Sequence, residues 1–439
     1  MKKIYLSVLG FSLLCRINGY AQTKSDTALN KPTPSLYEPI HIEGDPPVYN
    51  PRALRVDEVN FVTSYYTQNG NHSAVTGGIG TEHVTDFANA LTLNLVWGDA
   101  ATRKNTLAFG LGVDHHSSAS AAFVSKTGAS KTGGSRVYPS LDWTTENAQK
   151  GTSFGIGSYY SGEYNYRSLG ADLHFSLKTH DRSGEFTAKF QGYFDHVTLI
   201  YPSEFIPQPT VTTTTVTTVT TASGRTISGS SGGEDGKANI PSSPRNTYTA
   251  SFGYSQIINS RLQVALLGDV VTQNGFLSLP FHRVYFKGGK DTIERLPSSR
   301  FKLPVGFRLN YFAGDNVIIR SYYRYYTDDW GTHANTANLE VAYKLSPFFS
   351  LSPFYRFYTQ TAAKYFAPYE QNLPSQQYFT SNYEYAQFNS SFFGIGARIV
   401  PVGGVFGWQS LHDLEIRYGH YSQTTGLSSD VVSFSFGFK

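Results

Sequence analysis

Asp114-His115-His116-Ser117-Ser118 places an acid, two imidazoles and two hydroxyls in one short run. Those are the side-chain types of a hydrolytic triad. The acid orients the imidazole, and the imidazole takes the hydroxyl proton. Order along a chain does not supply that geometry. On an extended strand neighbouring side chains point to opposite faces, so His115 and His116 cannot both serve one site without a bulge. The competing reading is a polar strand end that carries interfacial histidines.

A second group forms a column. In NVIIRSYYRYYTDDW, Arg320, Tyr322, Arg324 and Tyr326 share one parity and face away from Ile319, Tyr323 and Tyr325. Arginines and tyrosines on the wall of an aqueous path would select anions or stack on sugars. Paired with acids, the same column would only fill an interior, because enclosed charges must be solvated or compensated. Glu340, Asp413 and Glu415 are the available acids, and Arg417 shares the parity of the last two. The candidate lumen-lining residues are therefore Arg320, Tyr322, Arg324, Glu340, Asp413, Glu415 and Arg417. Asp328-Asp329 matches no calcium loop. GGIGTE (77–82) and SKTGASKTGGS (125–135) lack phosphate-loop spacing and a following helix. No catalytic residue, metal site or cofactor is expected.

The elements that must position these groups are strands. Leu169, Ala171, Leu173, Phe175 and Leu177 alternate with Gly170, Asp172, His174, Ser176 and Lys178. Phe301, Leu303, Val305, Phe307, Leu309 and Tyr311 alternate with Lys302, Arg308 and Asn310, and Leu339, Val341, Tyr343 and Leu345 with Glu340 and Lys344. Segments of about ten residues with one charge-free face recur from Val56 to Phe438, as expected of a transmembrane barrel. Tight turns at AGDN (313–316), INSR (258–261), Leu345-Ser346-Pro347 and THDRSG (179–184) alternate with long polar stretches at 68–81, 117–135, 199–246, 273–299 and 361–386. The pattern predicts an all-β, antiparallel up-and-down transmembrane barrel of about 16 strands, with 14 to 18 allowed, short periplasmic turns and long extracellular loops. The predicted strands are 56–67, 84–97, 105–116, 136–146, 152–163, 166–178, 185–198, 247–257, 261–272, 300–312, 316–327, 333–345, 348–360, 387–399, 409–422 and 430–438. DVVSFSFGFK then closes the sheet against the first strand, since an open strand edge in hydrocarbon is too costly.

The ends of the chain fit that destination. Lys2-Lys3, the apolar run from Ile4 to Leu14 and Gly19-Tyr20-Ala21 read as a signal peptide over 1–21. Its apolar run is too short for a spanning helix. Without it Lys2, Lys3 and Arg16 are lost, leaving 33 basic and 32 acidic residues and no cysteine. That balance gives no electrostatic case for nucleic acid, and no disulfide framework is available. Residues 22–55, rich in proline, read as a periplasmic arm or small plug before the barrel of 56–439. Residues 210–245 read as a low-complexity extracellular loop whose Thr/Val alternation would prolong a hairpin.

The runs at 57–82, 114–147 and 150–186 resemble an uncharacterised outer-membrane family, the domain of unknown function 3570 family. The likeness extends over most of the mature chain and is strongest between Asp57 and Tyr201. It implies fold and location, in the cell outer membrane, and brings no functional residues with it. Outer-membrane lipid and the barrel-insertion machinery are the expected partners. Three functions stay open: a non-enzymatic channel or transport component of unknown solute; a closed barrel bound to a protein partner in an envelope or secretion complex; and a barrel enzyme with its site at the outer mouth near Asp114-Ser118.

Overall fold

The computed structural model describes residues 53–99, 103–117, 133–205, 219–220, 226–227 and 241–439. The proposed signal peptide and almost all of the proline-rich segment lie outside them. Sixteen antiparallel strands form one closed barrel in chain order. They are β1 (Arg55–Asn69), β2 (Val84–Gly98), β3 (Lys104–His116), β4 (Gly134–Asn147), β5 (Thr152–Glu163), β6 (Tyr166–Lys178), β7 (Gly184–Thr198) and β8 (Ser242–Asn259). They continue as β9 (Leu262–Gly275), β10 (Ser299–Ala313), β11 (Val317–Asp328), β12 (His333–Ser346), β13 (Phe349–Gln360), β14 (Phe388–Ile399), β15 (Leu411–Gln423) and β16 (Ser428–Phe438).

Closure follows the expected register. Val59, Phe61, Thr63 and Tyr65 pair with Phe438, Phe436, Phe434 and Val432, so the apolar faces of the first and last strands run on continuously. The largest departure from the sequence expectation is β8, which starts five residues before position 247. Ser242 to Arg245 pair with Thr198 to Asp195 and belong to the sheet, not to a loop. Within the low-complexity stretch Val219-Thr220 pairs with Thr226-Ile227. The rest of it, up to residue 240, lies outside the described residues.

Packing divides the strand faces as parity requires. Leu173, Phe190, Leu266, Val305 and Leu339 are each 46–60% exposed, although all are large and apolar. On the other parity Asp114, Asp172, Asp195, Arg300, Asp328 and Asp413 are buried. This inverts a water-soluble protein, and a continuous exposed apolar belt of this kind is stable only against lipid. Aromatics edge the belt: Tyr65, Tyr160, Tyr248 and Tyr325 near the end with the long connections, Tyr254, Tyr311 and Tyr343 near the short-turn end. Such girdles lie at membrane–water boundaries. No helix among the described residues is long and apolar enough to cross a membrane. The chain crosses with strands.

Candidate functional site

The run Asp114–Ser118 sits at the long-connection end of β3. Asp114 faces inward, buried, and accepts from the Arg136 Nε–H at 2.8 Å. His116, two residues on, turns inward as well, with Nε2 3.3 Å from Glu163 Oε1. His115 points outward, 2.9 Å from the Ser135 hydroxyl. Ser117 Oγ accepts from the Thr85 amide at 2.8 Å. Ser118 lies outside the described residues. The alternation expected of a strand holds, and the inward pair is tied to Arg136 on β4 and Glu163 on β5.

The arginine column enters a longer network. Arg320 Nη1 is 2.6 Å from Glu340 Oε1, its register partner on β12. Glu340 Oε2 is 2.8 Å from Arg417 Nη2, three strands away on β15. Arg417 also reaches Glu415 at 3.0 Å. Its guanidinium crosses the Phe354 ring at 5.0 Å and lies over Gly396, where an added Cβ would come within 3.3 Å of it. An added side chain there would press on Arg417 where it passes along the wall toward Glu340. Asp413 does not join this network. It pairs with Arg398 at 2.5 Å near the short-turn end.

Arg324 stands apart. Its guanidinium lies 6.0 Å from the Tyr326 ring, and its Nε is buried with no hydrogen-bond partner. Tyr322 sits in the combined field of Arg324, Arg308, Asp269 and Arg356. Sequence reasoning placed Arg308 on a polar face without drawing it into the site, and it missed Arg356, Phe354 and Phe392. The last two sit on strands with aromatics on both faces, FSLSPFYRFY and QFNSSFF, where parity is a weak guide.

On the far wall Asp142, Asp172 and His174 offer ligand atoms within 4.8 Å of one another. Asp172 already has His174 Nδ1 at 2.8 Å and the Lys189 ammonium at 3.3 Å. Thr144 Oγ1 is 2.9 Å from His174 Nε2 and donates to Asp142 at 3.1 Å. With an ammonium in place and the imidazole committed, this is a satisfied polar network.

The long connections 276–298 and 361–387 carry no strong periodicity, yet they are folded. Arg283–Tyr285 and Asp291–Ile293 make a small hairpin, and Val284 and Phe286 bury against Phe379. Ser381 N–H donates to His282 Nε2 at 3.2 Å, and the Thr380 hydroxyl to Glu294 at 2.6 Å. The β1–β2 connection joins them: the His72 and Tyr383 rings stack at 3.6 Å, and Arg283 donates to the Val75 carbonyl at 2.9 Å. Gly78, at φ 87°, is the point of closest approach, since a Cβ there would lie 2.5 Å from the Ser381 carbonyl oxygen. β1 and β9 are eight places apart in a ring of sixteen strands, hence diametrically opposite. Connections that start from opposite walls and touch must cross the opening. They form a lid.

The lid should respond to pH. Burial, with Glu384 adding repulsion, pushes Glu82 up to about 7 from the ordinary 4.5. Burial also raises Glu294 to about 7, against hydrogen bonds from Thr380 and Leu279. Burial lowers His282 from 6.5 to about 3. Both carboxyls are raised in the closed lid, so their contribution is complete below pH 4.5 and is lost as pH rises through 7. His282 is depressed, so its contribution is present above 6.5 and lost as pH falls toward 3. Two carboxyls outweigh one imidazole between 4.5 and 6.5. Hydrogen-exchange protection of amides 276–298, corrected for intrinsic rate, should peak near pH 4.5 and fall by at least about tenfold by pH 8. A flat profile would mean that the lid stays wet around these groups.

The family model for a protein of unknown function (DUF3570) matches residues 99–425. The chain belongs to this family. Of the three runs that suggested it, 114–147 and 150–186 fall inside the matched span, and 57–82 precedes it. No curated protein matches the chain. Among solved structures the DUF3570 chain is similar to a bacterial polysaccharide outer membrane secretin, at 9% identity and TM-score 0.40, over 87% of this chain and 98% of that one. It is also similar to the ferric enterobactin receptor from Pseudomonas aeruginosa, at 10% identity and TM-score 0.42, over 83% of this chain and 53% of the receptor. A BenF-like porin from Pseudomonas fluorescens Pf-5 matches at 6% identity and TM-score 0.39, over 87% and 98%. None of these bears on the role of the DUF3570 barrel.

Proposed function

We propose that the protein is an outer-membrane channel or transport component whose outer mouth is covered by folded loops. The observation that carries this reading is the interior wall. It is charged, and its ion pairs remain partly open to solvent: the side chains of Lys189 and Arg417, well inside β7 and β15, are 38% and 32% exposed although they face away from the apolar belt. A barrel built only to be filled would bury them. The long connections face outward and the short turns face the periplasm, as in outer-membrane barrels generally.

Purified protein in a planar bilayer should conduct, with a reversal potential favouring anions. Replacing Arg308 and Arg324 together with Gln should shift it toward cations, because charges on an aqueous wall act on ions over about 8 Å at physiological salt. Conductance indifferent to these charges would place the ion path elsewhere. The interlocked lid favours a second reading, a closed barrel docked to an envelope partner. A parent protein that never conducts, with a variant lacking lid residues 361–387 that does, would select that reading.

A further inference from the structure

We propose that the interior wall from β10 to β15 is a binding site for a carboxylate carried on a flat or cyclic body. The inference rests on the transport reading and adds a solute class to it. Three cross-strand rows make the wall. The middle row runs Arg308, Tyr322, Asn338, Arg356, Phe392 and Tyr421, each the register partner of the next. Above it lie Gly306, Arg324, Thr336 and Tyr358. Below it lie Arg320, Glu340, Phe354 and Gly394.

Charge does not balance across these rows. Arg320 and Arg417 share Glu340, and Arg417 also holds Glu415. Arg308 and Arg324 have no carboxylate within ion-pair distance among the described residues, and Asp269 on β9 is the acid that shares their neighbourhood around Tyr322. Neighbouring strands lie about 4.8 Å apart and alternate residues about 6.6 Å apart. Arg308 and Arg324 are therefore offset by one strand and one step, close enough to grip one small anion together. Like charges at that spacing repel in a partly dry wall, and an oxyanion between them relieves the repulsion. A carboxylate matches the planar guanidinium fork in two parallel hydrogen bonds.

The rings specify the rest of the solute. The Phe354 and Phe392 rings lie 5.1 Å apart, over Gly394 and Gly419, where an added Cβ would fall 2.5–2.6 Å from them. Tyr322 lies over Gly306 in the same manner, at 3.1 Å. Glycines on the wall let the rings lie back against the sheet instead of crossing the lumen. The Arg356 guanidinium is held 5.6 Å from the centre of Phe392, a cation–π arrangement that fixes its plane. Tyr322 thus offers a flat stacking surface beside an uncompensated pair of cations, and the Phe354–Phe392 pair offers a second one two to four strands further along the wall. Chloride or acetate would use only the cations. An aromatic acid or an acidic sugar would use both.

The test is calorimetric titration of the folded, detergent-solubilised full chain with benzoate, glucuronate, acetate and phosphate. Benzoate or glucuronate should bind at least tenfold more tightly than acetate or phosphate, and the ratio of the first two identifies the kind of ring. Arg308→Gln with Arg324→Gln should weaken that binding at least tenfold without lowering the melting temperature, since neither residue supports a carboxylate. Arg324→Lys should recover part of it, and Lys178→Gln, which loosens an ion pair on another wall, should leave it intact. Equal affinity in parent and double variant would overturn the site. Acetate or phosphate binding as tightly as benzoate and glucuronate would overturn the solute class. Binding is read in solution, so a barrel that binds but does not conduct sinks the channel reading alone, and one that conducts but does not bind sinks this proposal alone.

Discussion

Phe190→Arg should cost the barrel about 2–4 kcal/mol of unfolding free energy in lipid, the typical cost of a cation on the lipid face near the midplane. Phe190 lies near the middle of β7, is 48% exposed and points away from the interior. It pairs with Leu173 on β6 and Ala250 on β8, and its ring meets Phe252 edge-on at 6.0 Å. The substitution removes that contact and places a guanidinium in hydrocarbon. Gln191→Arg, one residue on, should cost less than about 1 kcal/mol, because a strand alternates faces and position 191 looks into the polar interior. Urea titration of both variants in vesicles gives the comparison. Equal losses at 190 and 191 would mean that the belt does not face lipid.

Parity made this much of the fold legible before any coordinates. Each strand carries its own record of which face meets lipid, and Leu173 against Asp172 is as plain in the sequence as in the barrel. Strand ends were less plain where composition misleads: Ser242-Ser243-Pro244-Arg245 reads as loop, yet it pairs with β7. The lid was illegible for a different reason. Val284, Phe286 and Phe379 are buried, but the apolar residues around them in FLSLPFHRVYF (276–286) and YF (378–379) follow no strand alternation, and burial there comes from contact between distant loops, not from a local period. The site lies between these extremes. Arg320 and Glu340 pair on adjacent strands, so parity nearly suffices to find them. The Glu340–Arg417 pair spans three strands and depends on register, which alternation does not encode. Asp413 was grouped with Glu415 for the same reason, yet it takes Arg398 diagonally, although Glu415 is the register partner of Arg398.

Arg300→Met should be the most damaging change at the mouth, with an expected loss of about 3–5 kcal/mol, because it leaves a buried carboxylate without its cation. The Asp328 side chain is fully enclosed and Arg300 is 8% exposed. Arg300 Nε donates to Asp328 Oδ2 at 2.9 Å, as does the Tyr326 hydroxyl at 2.7 Å, while Asp328 Oδ1 takes the Thr332 amide at 2.9 Å. The guanidinium also lies 4.4 Å from the Trp330 ring, whose Nε1–H donates to the Ser299 carbonyl at 2.9 Å. Trp330 in turn packs on Leu277 and Leu296 of the lid. One ion pair therefore fixes the short β11–β12 turn and, through Trp330, one anchor of the lid. The loss should register twice: as a lower urea midpoint for the barrel, and as faster protease cleavage within 276–298. Adding Asp328→Leu to Arg300→Met removes the orphaned charge and should restore much of the global stability, while leaving the lid loose, because Trp330 still lacks its guanidinium. If the single variant loses less than about 1 kcal/mol, water reaches Asp328 and the mouth is open at this edge.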